Sequence, residues 1–107
     1  MELLPFDRSR GHRVDRFGSD FVLTPLARDG AVHVACLHLE PGEHVGEHEA
    51  AVAQLFCVVA GAGWVSGSDG RKVDIATDEA ARWTAGEVHA AGTEVGLTAI
   101  VIEGLDG

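Results

Sequence analysis

The stretch 42–61 reads GEHVGEHEAAVAQLFCVVAG, and a shorter stretch at 84–89 reads TAGEVH. The first contains His48 and, six positions later, Gln54, and the second ends on His89. Both carry glycines at positions typical of turns, and imidazole is a common metal ligand. These two stretches therefore predict both an architecture and a candidate site.

Short strands separated by glycine-rich turns account for most of the remaining chain. Fourteen glycines interrupt the 107 residues, and few segments have helical periodicity. The only cluster of good helix formers, 79–82, is too short to hold a helix alone. Many short strands of this kind predict an all-β sandwich or barrel. The predicted strands are 32–39, 54–60, 64–66, 71–76, 80–83, 88–91 and 97–103, with a turn at 61–63.

The predicted strand 54–60 is apolar on both faces. Phe56 shares one side with Gln54, whereas Leu55 and Cys57 share the other. A sheet that meets water on one face would alternate, so this strand is expected to be covered on both. The second cover is the N-terminal segment, an outer sheet or a second copy of the chain. We expect a homodimer, because isologous pairs are the commonest assemblies.

The two stretches resemble the motif pair of the cupin superfamily, G-x5-H-x-H-x3-E-x6-G and P-x-G-x2-H. The resemblance covers residues 31–103. It implies a double-stranded β-helix (jelly-roll) barrel over residues 31–107, with a ligand or metal inside. Residues 1–30 are then an N-terminal segment, partly extended, that packs on the barrel or on a partner subunit.

The resemblance also implies a metal site that has lost part of its ligand set. Residues two apart on a strand lie about 6.5 Å apart on one face, so His-x-His can place two imidazoles on one cation. Here Ala50 replaces the second histidine and Gln54 replaces the glutamate. The implied metal ligands are therefore His48, Gln54 and His89, and none of them is anionic.

Other histidines leave alternatives open. In an extended chain His44 would lie about 13 Å from His48, and only a tight turn at Val45-Gly46 would bring it back. His33 and His38 lie on opposite faces of one predicted strand, so one of them faces the barrel interior. The whole set is either the relic of a metal site in a barrel that binds an organic ligand or nothing, or a weak divalent site completed by water.

A ligand pocket is expected beside these residues. Phe56 has the same parity as Gln54, and the resemblance implies that Trp83 faces inward just before the 84–86 turn. We expect a protein that binds a small organic molecule without catalysis; the alternative is a metal-dependent enzyme of the cyclase or oxygenase type. Metal-free acid–base catalysis by His48 or His89 is a third possibility. Catalytic residues are not assigned, and no cofactor beyond a possible divalent metal is expected.

Charge argues against nucleic acid and membrane partners. The net charge is −9, and residues 31–107 carry all of it, whereas residues 1–30 hold five arginines and five acids. Such an acidic body repels phosphates and anionic lipids. Four arginines between residues 8 and 16 are interleaved with acids, so they predict a solvated or subunit-docking segment.

The compartment is expected to be the cytoplasm. Cys36 and Cys57 are the only cysteines, and nothing else suggests a small disulfide-stapled scaffold, so reduced thiols are the expectation. The apolar run 55–60 is far shorter than the roughly 20 residues of a membrane helix. The N-terminal sequence does not resemble a secretory leader.

Overall fold

The strands of the protein pair into one strongly curled antiparallel sheet in this computed structural model, which describes residues 1–105. The prediction of an all-β barrel is confirmed. The last two residues of the predicted 31–107 barrel lie outside the described residues. Short 3₁₀ turns occupy Arg8–Arg10 and Arg16–Gly18. The strands are β1 His12–Val14, β2 Phe21–Asp29, β3 Val32–Leu39, β4 His44–Glu49, β5 Gln54–Ser66, β6 Lys72–Ala76, β7 Ala80–Trp83, β8 Val88–Gly92 and β9 Leu97–Glu103.

Strand β5 connects the two halves of the barrel. The strand order is β1-β2-β3-β9-β5-β8-β4, and β6 and β7 also pair with β5. The first half of β5 pairs with β7 and β9, and its second half pairs with β6 and β8. Because one long strand changes partners midway, the sheet closes around a single interior.

The turn predicted at 61–63 is wrong, because these residues lie inside β5. A Cβ at Gly61 would overlap the carbonyl oxygen of Gly96, and a Cβ at Gly63 would overlap that of Gly92. The two glycines therefore permit neighbouring backbone to approach β5 closely. They mark the point where β5 passes between partners, and do not reverse the chain.

Strand β2 enters the sheet before residue 31 and contains a β-bulge. Pro25 pairs with Ala35, but the next pair is Ala27 with Val34, so Leu26 is an extra residue. A bulge of this kind reverses the in-and-out alternation of the strand beyond it. Beyond the bulge, Arg28 is opposite His33.

The interior is apolar and continuous across β2, β3, β5, β7 and β9. Alternate residues of each strand supply it, and most are less than 9% exposed. Core members include Phe21, Leu37, Leu39, Val45, Phe56, Val58, Trp83, Leu97, Ala99 and Val101.

The outer face of the sheet is only partly covered. Residues 4–8 of the N-terminal segment line an open cleft together with Cys36 and His38. On β5, Leu55 and Cys57 are half-buried, and Val59 is 49% exposed. Within residues 1–105, no helix is long and apolar enough to span a bilayer.

The structure shows which of the two histidines on β3 faces the barrel interior. On β3 the odd-numbered Leu37 and Leu39 belong to the core, so His33 shares the interior face. His38 lies on the outer face, where its Nε2 is 3.2 Å from the hydroxyl of Thr24.

Candidate functional site

His48 and His89 lie directly opposite each other on β4 and β8. Their ring centroids are 4.4 Å apart, with the planes tilted by 54°. A register irregularity in β4 between Val45 and His48 precedes this pair. The two histidines that kept the motif spacing are therefore brought together.

The backbone fixes which nitrogen of each imidazole carries the proton. Nδ1 of His48 lies 2.8 Å from the carbonyl of Gly46, and Nδ1 of His89 lies 3.4 Å from that of Glu87. A carbonyl can only accept a hydrogen bond, so Nδ1 is the donor and Nε2 keeps a free lone pair in the neutral ring. The Nε2 of His89 is buried and has no partner among residues 1–105.

Burial also sets the charge of His89. The side chain is 2% exposed, and this desolvation lowers the pKa of His89, as does the neighbouring His48. The carbonyl and charge of Glu87 oppose the shift without reversing it. His89 is therefore neutral near pH 7, which keeps its Nε2 an acceptor.

Five rings form a continuous row through the pair, which we call the ring row. Phe17 stacks on His48 at 4.7 Å between centroids and 4° between planes. On the other side Trp83 lies 4.4 Å from His89, and Phe56 meets Trp83 edge-on at 5.8 Å. The row runs from Phe17, which is 60% exposed, to Phe56, which is 1% exposed.

Phe17 is held over His48 by a close approach of two backbones. A Cβ at Gly46 would overlap the carbonyl oxygen of Phe17, so only glycine fits there. Ser19 accepts a hydrogen bond from the Gly46 amide at 2.8 Å, and His44 donates its Nε2–H to the carbonyl of Gly18. Phe17 itself has a left-handed backbone, with φ of 57°.

His44 therefore does not return to His48. It lies on the extended strand β4, and its ring is used to hold the 16–18 turn. The tight turn that would have restored it as a ligand is not formed.

Two arginines of the N-terminal segment tie that segment to the barrel. Arg13 lies 2.6 Å from Asp20 and 2.7 Å from Glu43, and Arg8 lies 3.4 Å from Glu40. Burial opposes ionisation of Glu43, but hydrogen bonds from the Glu40 amide and from Arg13 outweigh it and lower its pKa. The arginine cluster thus docks on the chain's own barrel.

A cavity of about 400 Å³ lies beside the ring row, and we call it the Phe17 cavity. His48 and Gln54 line it, as does Glu103 at the end of β9. Much of the remaining wall is apolar: Val14, Phe21, Leu23, Leu37, Val45 and Val101. The wall also includes residues 12–17, which sequence reasoning did not assign to a site.

The other predicted site residues lie outside this wall. His89, Phe56 and Trp83 do not line the cavity but form the buried part of the ring row. The indole N–H of Trp83 donates to the carbonyl of Ser66 at 3.1 Å, so this ring is fixed from both sides.

The donors available to a metal are few. Across the described part of the chain, no three His, Cys, Asp or Glu side chains converge on a point that could hold an ion. Ala50, at the position of the second motif histidine, is 4% exposed. What remains is two Nε2 atoms and the Gln54 amide, without a carboxylate or thiolate.

Solved structures similar to this one share a single architecture. A cupin superfamily protein from Desulfitobacterium hafniense superposes with a TM-score of 0.74 at 21% identity, covering 80% of this chain and 78% of its own. A predicted oxalate decarboxylase from Thermotoga maritima gives 0.80 at 18%, covering 92% and 96%. A cupin 2 conserved barrel domain protein from Salinispora arenicola gives 0.76 at 15%, covering 95% and 87%.

No family model matches the sequence, and no curated protein sequence matches it either. At these identities the likeness shows the fold and leaves the chemistry to the site itself. The chain therefore has the cupin fold, a double-stranded β-helix barrel.

Proposed function

We propose that this protein binds a small organic molecule in the Phe17 cavity. One observation carries the proposal: a space of about 400 Å³ opens inside the barrel, and its wall combines apolar side chains with polar and charged ones. Volumes of about 300 to 1,000 Å³ with this kind of lining are typical of small-molecule sites.

The polar groups suit recognition better than turnover. Nε2 of His48 is free to accept a hydrogen bond, because Nδ1 already donates to Gly46. The Gln54 side chain makes no hydrogen bond to any described residue, so its amide can both donate and accept. Phe17 covers His48 from the solvent side. A ligand with an apolar body and a polar end fits these groups.

Filling the cavity tests this function. The apolar fluorophore 1-aminoanthracene should bind the wild-type protein, with increased emission, and Val14→Trp should weaken binding by about tenfold or more, because the indole occupies the cavity. Val14 lies on the short edge strand β1 and is only half-buried, so the core should tolerate the change. Val73→Trp, at an exposed valine on β6, is the matched control. No binding to the wild type, or equal binding to Val14→Trp, would contradict the proposal.

A second candidate is a metal-dependent enzyme, and the unpartnered Nε2 of His89 favours it. A divalent ion would be held by His48, Gln54 and His89, and when bound it would act as a Lewis acid toward a substrate oxygen. Without a carboxylate, this donor set does not meet the needs of a tightly held ion. We therefore derive no reaction step through a metal.

Metal analysis separates the two candidates. Protein purified without a His tag is dialysed against Zn²⁺, Mn²⁺ or Fe²⁺, and its metal content is measured by mass spectrometry. Near-stoichiometric metal that is lost in both His48→Ala and His89→Ala, but kept in His12→Ala, supports the enzyme. Metal that stays at the level of a buffer blank in the wild type overturns it.

We also infer a homodimer that covers the outer face of β5. Leu55 and Cys57 are half-buried there, and Val59 is 49% exposed beside them. Light scattering should give twice the chain mass, and Val59→Lys should shift the protein toward the monomer. Val73→Lys, a similarly exposed valine on β6, should not.

A further inference from the structure

Four polar residues form a row across four neighbouring strands, away from the histidine pair. Arg28 on β2 is opposite His33 on β3, His33 is opposite Glu103 on β9, and Glu103 is opposite Gln54 on β5. Residues that face each other across a ladder point to the same side of the sheet. We call Arg28, His33, Glu103 and Gln54 the polar row.

The polar row follows the inner face of the barrel to its rim, where Arg28 is exposed, and His33, Gln54 and Glu103 are half-buried. Glu103 has the parity of the buried Val101, and His33 has that of the buried Leu37. Gln54 has the parity of the core residue Phe56. Arg28 would face outward in a regular strand, but the bulge at Leu26 brings it into line with His33.

The members of the polar row have no side-chain partners in the described part of the chain. Neither Arg28 nor Glu103 makes an ion pair with a residue in 1–105, although only β3 lies between the strands that carry them. Arg13, by contrast, contacts both Asp20 and Glu43. The positive and negative ends of the row therefore remain free for a bound molecule.

The row borders two neighbouring cavities that share part of their walls. Arg28, His33 and Glu103 line a second cavity of about 450 Å³, which we call the Arg28 cavity. It shares Glu103, Leu23 and Val101 with the Phe17 cavity. A molecule whose polar end meets the row can therefore extend an apolar body into the Phe17 cavity.

We propose that the polar row binds the head group of a small zwitterion with an apolar body, such as a hydrophobic α-amino acid. The carboxylate of the ligand pairs with Arg28 and accepts a hydrogen bond from His33. Its ammonium group pairs with Glu103 and donates to Gln54. This inference rests on the proposed function, since it places the same ligand's body in the Phe17 cavity.

Charge complementarity is the reason for a zwitterion. Arg28 and Glu103 contribute one charge of each sign, so the row has no net charge but a positive and a negative end. An anion alone leaves the half-buried Glu103 unpaired, which costs affinity when the ligand desolvates it, and a cation alone gains nothing from the exposed Arg28. The two strands are about 10 Å apart at the backbone, and both side chains are long enough to converge on charges a few ångströms apart.

Three probes with the same phenyl body test the proposal by calorimetry. L-Phenylalanine carries both charges, 3-phenylpropanoate lacks the ammonium group and 2-phenylethylamine lacks the carboxylate. We expect the wild type to bind L-phenylalanine about tenfold or more tightly than either analogue. Arg28→Gln should weaken L-phenylalanine and 3-phenylpropanoate by a similar factor and spare the amine. Glu103→Gln should weaken L-phenylalanine and the amine and spare the acid.

The controls for this experiment, and the results that would overturn it, differ from those that test the proposed function. Arg71→Gln and Glu94→Gln make the same charge changes at exposed sites and should leave all three affinities unchanged. Equal affinity for L-phenylalanine and 3-phenylpropanoate, insensitive to Glu103→Gln, would overturn the zwitterion. So would no binding of any probe. If 1-aminoanthracene still enters the Phe17 cavity in that case, the proposed function stands and only the head-group assignment fails.

Discussion

The ring row and the polar row both carry polar side chains inside one barrel, and they differ in the partners that those side chains have. His48 and His89 are stacked, hydrogen-bonded to backbone carbonyls and flanked by aromatic rings. Arg28 and Glu103 have no side-chain partner within residues 1–105. The two histidines of the ring row are motif positions, whereas three members of the polar row lie outside the motif.

The difference shows that a position in the motif does not decide whether a polar group borders a cavity. The free nitrogen of His89 is sealed inside the fold, with 2% of the side chain exposed. The ends of the polar row border cavities that a molecule can enter. The site that we propose therefore uses polar groups that both lack partners and border a cavity, and from the histidine pair it includes only His48.

The largest expected effect comes from displacing the 16–18 turn, which holds Phe17 over the ring of His48. Gly46→Ala places a methyl group against the carbonyl oxygen of Phe17, so the 16–18 turn must move off β4. We expect a loss of about 1–3 kcal/mol in the free energy of unfolding, as for other overpacking changes. Urea denaturation measures this loss.

A second glycine provides the control. At Gly67 a new Cβ meets only the end of the flexible Glu87 side chain, which can move. Gly67→Ala should therefore cost much less than Gly46→Ala. Equal losses in the two variants would show that the close approach at Gly46 does not hold the turn.

The next effect concerns the pH dependence of stability. Because the pKa of His89 is lowered in the native state, the unfolded chain binds a proton that the native chain does not, at pH values just below 6.5. The free energy of unfolding should therefore fall as the pH drops through 6.5, by up to about 1.4 kcal/mol per pH unit, and should be fully retained above it.

Urea denaturation at several pH values between about pH 5 and pH 8 measures this change in the free energy of unfolding. His89→Gln should lack this part of the slope, so the stability gap between wild type and variant narrows in acid. His12→Gln, at an exposed histidine, should keep the slope. An unchanged slope in His89→Gln would mean that the ring row does not hold His89 neutral.

A smaller effect is expected at Phe17, where two variants distinguish the loss of ring stacking from the relief of backbone strain. Phe17→Ala and Phe17→Gly both remove the ring over His48, but only glycine relieves the left-handed backbone. The glycine variant should be more stable than the alanine variant by about 1 kcal/mol. Both should increase the modification of His48 by diethyl pyrocarbonate, followed by mass spectrometry of its peptide. Unchanged reactivity would show that the ring does not shield His48.

The smallest effect is expected at the polar row. Arg28→Gln and Glu103→Gln each remove a charge that has no partner, so each should change the free energy of unfolding by less than about 0.5 kcal/mol. Their double mutant should equal the sum of the single changes. A coupling energy above about 1 kcal/mol would reveal an ion pair within the row and weaken the contrast with the ring row.

Much of the fold could be predicted because its signals are local. Gly42 and Gly86 have positive φ values at turns, as motif glycines should, and the strand at 80–83 follows from its short apolar run. The passage of β5 between partners could not be predicted, since Gly61 and Gly63 read as a turn without knowledge of Gly96 and Gly92. Close approach of strands distant in sequence leaves no periodic signal.

The site was predictable where parity alone decides it. The resemblance of the motif pair implied that His48 lies near His89, and alternation placed Gln54 on the same face of β5 as Phe56. Phe17 was not predictable, because its position depends on a glycine 29 residues later, Gly46. The complementary charges at 8–16 and 40–43 were the one available signal that the N-terminal segment docks on the barrel.

The extra residue at Leu26 makes the charge at the Arg28 cavity depend on how β2 pairs with β3. Deleting Leu26 would remove the bulge but keep Arg28 opposite His33, so Arg28 would still face inward. A regular ladder that retained and paired Leu26 would instead shift the following residues by one position, turning Arg28 outward and bringing Ala27 and Asp29 inward. The cavity would then exchange a cation for an anion although no residue had been substituted, so a slip of one strand position is enough to reverse its charge.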